Sequence, residues 1–233
     1  MFKSAAVAVL FCALMACSVP HPRPSAPQIP TPSGAALQSL PAPGSYRIDS
    51  SASELRILVF RAGSLAGLGH NHVMINRSVS GIVQIGDSIS TSSFSLEVPA
   101  DAFEIDDADA RREEGGDFPG DIPDDAKAGT RHNMLSGAVL NAAQFPVITV
   151  KSAALRGTPG ELTADLTLTV AGHESGVSVP LTLQGDSRRL TAIGSFELRQ
   201  TAIGIAPYSL LHGALQVQDA ILLKFKIAVP LSL

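Results

Sequence analysis

The chain has 233 residues, of which 45% are hydrophobic and only 16% charged, and 17 Lys and Arg against 21 Asp and Glu leave a net charge of −4. A slightly acidic chain without a basic stripe is not built to hold nucleic acid. It also carries no GxSxG, no Gly-rich phosphate loop opening a helix and no Cys nucleophile beyond the N-terminal region, so the expectation is a binding protein and no enzyme.

The chain opens with one cation, Lys3, and an apolar run from Ala5 to Ala16. This run is shorter than the roughly 20 residues a bilayer span needs and matches a signal-peptide core of about 7–15 residues. Leu14-Met15-Ala16-Cys17 resembles the bacterial lipobox. The reading is a signal peptide over residues 1–16 and a lipid on Cys17, with two or more acyl chains giving stable anchoring. Ser18 after the Cys points to the periplasmic side of the outer membrane in the cell envelope. Cys12 leaves with the signal, so the mature chain forms no disulfide.

Residues 17–44 form a tether rich in Pro, Ser and Ala. Half of the 16 prolines lie between Pro20 and Pro43, and a segment with so few backbone N–H donors serves as a semi-rigid spacer. The remaining residues, 45–233, have the size of one domain.

In that domain apolar and polar residues alternate with period two. Leu162, Ala164, Leu166, Leu168 and Val170 share one face of ELTADLTLTV, and Val177, Val179, Leu181 and Leu183 share one face of GVSVPLTLQ. Ile221, Leu223, Phe225, Ile227 and Val229 do so in the closing run. Shorter runs appear at Leu55–Phe60, Val79–Ile85, Ser93–Val98, Val147–Leu155 and Leu190–Arg199. Such segments are antiparallel strands with one face on a core, and Gly86-Asp87, Gly157 to Gly160, Gly172 and Gly185-Asp186 supply turns between them. The fold class is all-β, eight antiparallel strands closing a barrel that is just wide enough for side chains or one small ligand. Pro180 inside a run marks a seam or a bulge. With the apolar faces inward, Phe94, Leu96, Leu166, Leu168, Phe196, Leu198, Phe225 and Ile227 line the lumen; the pattern alone leaves open whether that lumen is filled or hollow.

Two segments depart from the alternation. Thr130–Asn141 spaces Met134, Leu135, Ala138 and Val139 as a short amphipathic helix. Asp106–Gly129 is acidic and rich in Gly and Pro and reads as a mobile loop, in which Asp106, Asp107, Glu113 and Glu114 are solvated carboxylates. Gly69-His70-Asn71-His72 places two imidazoles on one face if extended. That pair supports two readings: hydrogen bonds to backbone or to a ligand head group, or a metal site completed by His132, His173 or His212.

Several landmarks then line up in order: Tyr46-Arg47-Ile48-Asp49; His72 followed nine residues later by Gly81; Arg131 through Pro146 leading into Val147–Ser152; Leu166-Thr167-Leu168 with Gly172; Ile203-Gly204-Ile205; and Val217-Gln218-Asp219-Ala220-Ile221. Together they resemble the YceI-like family, bacterial envelope proteins with a lipocalin-like barrel that bind polyisoprenoids or other long apolar molecules. Arg131-His132 stands where the family has Arg-Asp, and Met134 where it often has His. The resemblance implies a hollow barrel with a bound isoprenoid, isoprenoid quinone or fatty acid and no other cofactor, and a mouth around His70, His72 and Arg131. The expected partners are the apolar ligand and the membrane, with a homodimer left open. The alternatives are a metal-binding envelope protein using His70 and His72, and a ligand-free structural barrel.

Overall fold

The computed structural model describes residues 37 and 39–231; the expected signal peptide, Cys17 and most of the expected tether lie outside the described residues. The strands are β1 (Gly44–Arg47), β2 (Glu54–Ala62), β3 (His72–Asn76), β4 (Ser80–Ile85), β5 (Ser93–Pro99) and β6 (Phe103–Ile105). After helices α1 (Ala108–Glu114) and α2 (Asp124–Leu135) come β7 (Val147–Thr158), β8 (Glu161–Val170), β9 (His173–Gly185), β10 (Arg189–Arg199), β11 (Ser209–Leu210) and β12 (Leu215–Pro230).

Local chemistry explains the hairpins. Val170 pairs with His173, which leaves Ala171 and Gly172 as a two-residue loop, and both have positive φ, 49° and 79°. That is the type I′ geometry whose twist suits adjoining strands. Between β9 and β10 the Asp186 carboxylate accepts from the backbone N–H groups of Arg188 and Arg189. These are the breaks at which the alternating runs end in the sequence.

The pairing path runs β1-β4-β5-β7-β8-β9-β10-β12-β2-β3-β6, all antiparallel, with β11 beside β12. The path closes through the chain itself. Asn76 pairs with Phe103 in the β3–β6 ladder, and Ser80 with Glu97 in the β4–β5 ladder. β3–β4 and β5–β6 are therefore two broken strands of one hairpin, and counting each as one gives a ring of eight. The extra strand count comes from these breaks and from two short additions, β1 and β11. At the break, fully buried Asn76 replaces the lost ladder: its amide donates to the Pro99 carbonyl, and its Oδ1 accepts from Ser78 N–H. Pro180 stands where the sequence placed a seam, since β9 pairs with β10 only over Thr182–Gly185.

Gly81 in β4 has φ 150°, and a Cβ there would lie 2.2 Å from the Ser95 carbonyl oxygen on the paired strand. Gly81→Ala is expected to cost about 1–3 kcal/mol, read as a lower urea midpoint at unchanged slope.

One end of the barrel is plugged. Tyr46, Ile85, Leu162, Leu183, Leu190 and Val229 are buried there, with Leu37 and Leu40 packed against them. Leu37 N–H also donates to the Leu183 carbonyl at 3.0 Å. The last residues of the Pro-rich segment are thus part of the barrel's floor, since two leucines gain more from burial than from serving as spacer.

The acidic segment corrects the expectation of a mobile loop. Asp107 caps α1 by accepting from Ala110 N–H, and Ala-Asp-Ala-Arg-Arg-Glu-Glu is a run with strong helix formers. The second helix is displaced from the expected 130–141. It begins at Asp124, where Asp124 and Asp125 complement the helix dipole, and stops at Leu135. Ser136-Gly137 follows, and Ser136 Oγ donates to the Asn133 carbonyl. Met134 and Leu140 are nonetheless both buried in the main core, one from the helix and one from the turn after it. Among the described residues no helix is long and apolar enough to cross a membrane.

Candidate functional site: an apolar cavity and its polar mouth

The barrel encloses a cavity of about 520 Å³, inside the roughly 300–1,000 Å³ range of small-molecule sites. Its wall follows from strand periodicity. Leu162 through Val170 on β8, Val177 through Leu183 on β9 and Ile221 through Val229 on β12 contribute every second residue, all apolar. The eight residues expected at the lumen, Phe94, Leu96, Leu166, Leu168, Phe196, Leu198, Phe225 and Ile227, all line this cavity. Phe196 and Phe225 meet edge to face across β10 and β12, 6.5 Å between ring centres. The void is what the period-two pattern left undetermined. Leu166, Leu168, Phe94 and Phe196 remain only half-buried because they border space rather than neighbours.

The end opposite the plug forms the mouth. Leu68 and Leu210, 79% and 46% exposed, belong to the cavity lining and stand at its rim. Arg61, His70, His72, Gln200, Tyr208 and Gln216 add polar groups there. The His-bearing loop is held firmly. Arg61 donates to the Gly69 carbonyl at 2.6 Å, and Asn71 accepts from Arg61 N–H and donates to the Asp117 carbonyl.

His70 and His72 do come together, with ring centres 4.4 Å apart, and a residue placed elsewhere by the sequence joins them. Asp106 is fully buried. Its Oδ2 lies 2.8 Å from His72 Nδ1 and 3.6 Å from His70 Nε2. Its Oδ1 accepts from Val73 N–H at 2.9 Å and from Arg111 at 2.7 Å. Burial alone would raise the Asp106 carboxyl, but the hydrogen bonds from His72, Val73 and Arg111 outweigh it and hold it below the usual carboxylate range. Burial, followed by the neighbouring His72, pushes the His70 imidazole below its usual value, against the pull of Asp106.

Arg111 is 1% exposed and is the anchor of this corner. Besides Asp106 it donates to the carbonyls of Asn71, Pro119 and Gly120, tying β3, α1 and the loop after α1 into one unit. The other carboxylates expected to be solvated are also in use: Glu113 and Glu114 both pair with Arg56, and Glu114 with Lys224. An Asp before a run of helix formers that includes two arginines was the available signal for an ordered acidic segment. The partnership of Asp106 with His72 had no local signal, since the two are 34 residues apart.

Arg131 is not itself among the residues that line the cavity. Its guanidinium donates to the backbone carbonyls of Phe103 and Asp101, so it fastens α2 to β6, while its neighbours Thr130, Asn133 and Met134 reach the cavity. His132, His173 and His212 are exposed, and none joins the His70–His72–Asp106 group.

A closed antiparallel barrel of eight strands around an apolar cavity, with a short helical insert at its mouth, defines the lipocalin-like class. Within that class the chain belongs to the YceI-like family, whose domain model matches residues 46–229. Among solved structures it is similar to BcnA from Burkholderia cenocepacia, with 15% identity, a TM-score of 0.57, and coverage of 78% of this chain and 98% of BcnA. A polyisoprenoid-binding domain from Saccharophagus degradans aligns at 12% identity and TM-score 0.50, covering 79% and 97% of the two chains. The YceI protein of Campylobacter jejuni aligns at 9% identity and TM-score 0.50, covering 67% and 83%. At these identities the likeness is one of fold. No curated protein matches the chain.

Proposed function

We propose that this protein is an envelope lipoprotein whose barrel binds and carries a long-chain apolar molecule, a polyisoprenoid, isoprenoid quinone or fatty acyl chain. The observation that carries the reading is the cavity of about 520 Å³ with an almost wholly apolar wall. A structural barrel would fill that space with its own side chains, because unfilled apolar volume forfeits packing contacts. Family membership and the Saccharophagus neighbour, described as polyisoprenoid-binding, support the same ligand class. The protein acts by binding and holding rather than by catalysis.

Each methylene moved from water into such a wall contributes about 0.8 kcal/mol, close to fourfold in affinity. At about 30 Å³ for a water-sized heavy atom, the cavity holds at least about 17 of them. Affinity is therefore expected to rise about fourfold per added methylene along a series of fatty alcohols and then level off once the cavity is full. Fluorescence displacement measures this; an affinity independent of chain length would refute binding in the lumen. Native mass spectrometry of the purified protein checks for a copurified chain.

The anchor and the mouth fit one scheme. A lipid on Cys17 holds the protein at the periplasmic face of the outer membrane. Leu65, Leu68, Leu210 and Leu211, all exposed, form an apolar rim over which a chain enters. The loops that bear them are joined by the hydrogen bond from Leu65 N–H to the Ala214 carbonyl. Cys17→Ser is expected to abolish incorporation of labelled palmitate and to release the protein into the periplasmic fraction.

A further inference from the structure

We infer that His70, His72 and Asp106 form a binding site for a divalent metal ion of the zinc class at the mouth of the cavity. Each offers one donor atom, and the three lie within 4.8 Å of one another. On a tetrahedral ion, metal–nitrogen and metal–oxygen bonds of about 2.0–2.2 Å set two donors about 3.3–3.6 Å apart. The 3.6 Å from Asp106 Oδ2 to His70 Nε2 matches that spacing, and the 2.8 Å to His72 Nδ1, now a hydrogen bond, opens by under about 1 Å when an ion takes the place of the shared proton. Two imidazoles and one carboxylate are a donor set that suits zinc.

Two further observations single this cluster out from an ordinary His–Asp pair. His70 Nε2 is buried and has no hydrogen-bond partner, and 3.6 Å to Asp106 is beyond hydrogen-bond distance. A buried ring nitrogen left this way costs free energy, and a metal–nitrogen bond removes that cost where the His72–Asp106 hydrogen bond does not. Asp106 Oδ1 is held by Arg111 and by Val73 N–H, which aims Oδ2 at both histidines in the way outer-shell groups orient a ligating carboxylate.

His70 and His72 both face the cavity. An ion bound by three protein donors keeps a fourth position open, directed at the space where a ligand's head group would lie. Arg111 on the far side of Asp106 shares the carboxylate's charge, which weakens its hold on a cation. The site stands independently of what fills the lumen.

The test uses the full chain without a polyhistidine tag, stripped with chelator and titrated with Zn²⁺ by calorimetry. One equivalent is expected to bind with micromolar or tighter affinity, and Co²⁺ in its place is expected to give the visible bands of a four-coordinate ion. His70→Ala and His72→Ala are each expected to weaken binding by more than about tenfold. In the absence of metal, His70→Ala is expected to keep the wild-type circular dichroism, since the buried Nε2 of that ring makes no hydrogen bond in the structure. Absence of saturable binding, or unchanged binding in a folded His70→Ala variant, overturns the site.

Discussion

Replacing Arg111 with Met is expected to lower the stability of the barrel by about 3–5 kcal/mol. The substitution keeps the volume and removes the counter-charge of Asp106, a carboxylate with no exposure that lies 2.7 Å from the guanidinium. Water cannot reach the orphaned charge, so its desolvation is left uncompensated. Three backbone carbonyls, those of Asn71, Pro119 and Gly120, lose their donor at the same time. Urea denaturation measures the loss. Arg112→Met is the control: Arg112 is 70% exposed and pairs only with exposed Asp109, and it is expected to change stability by less than about 0.5 kcal/mol. Adding Asp106→Asn to Arg111→Met removes the unpaired charge and is expected to recover part of the loss. A wild-type midpoint for Arg111→Met would show that the corner is not held by this pair.

Leu166→Glu is expected to abolish chain binding while sparing the fold. Leu166 lines the cavity and is only half-buried, so in the unliganded barrel its carboxylate can draw water into the lumen. An incoming alkyl chain must expel that water and strand the charge against hydrocarbon, a penalty of several kcal/mol. Affinity for a long-chain alcohol is expected to fall at least about 100-fold, equivalent to about 2.8 kcal/mol, while far-ultraviolet circular dichroism stays that of the wild type. An outward-facing partner on the same strand, Thr167→Glu, is expected to leave binding unchanged. Equal binding by the Leu166 variant would place the ligand outside the barrel.

Much of the fold was legible because strand side chains alternate by a rule that needs no tertiary information. The runs at Leu162–Val170, Val177–Leu183 and Ile221–Val229 show which side chains face inward, and the Ala171-Gly172 turn follows from the need for positive φ. The helices are less legible. Gly129 and the crowd of acids disguised α2, and α1 reads as a solvated loop until Arg111 is seen to be buried. Arg131, which the family pattern places at the mouth, donates there to two backbone carbonyls, a role that spacing cannot reveal.

What the sequence by itself determined is a set of antiparallel strands with one apolar face each, which eight strands can bury by closing their sheet around it. What only the tertiary structure decided is the content of the barrel and its mouth. Whether inward side chains meet or leave about 520 Å³ between them depends on barrel curvature and on the floor made by Leu37, Leu40 and Tyr46. The partnership of His70 and His72 with Asp106 joins β3 to the start of the helical insert across 34 residues. Local periodicity carries the direction of a side chain; what it meets there depends on the path of the rest of the chain.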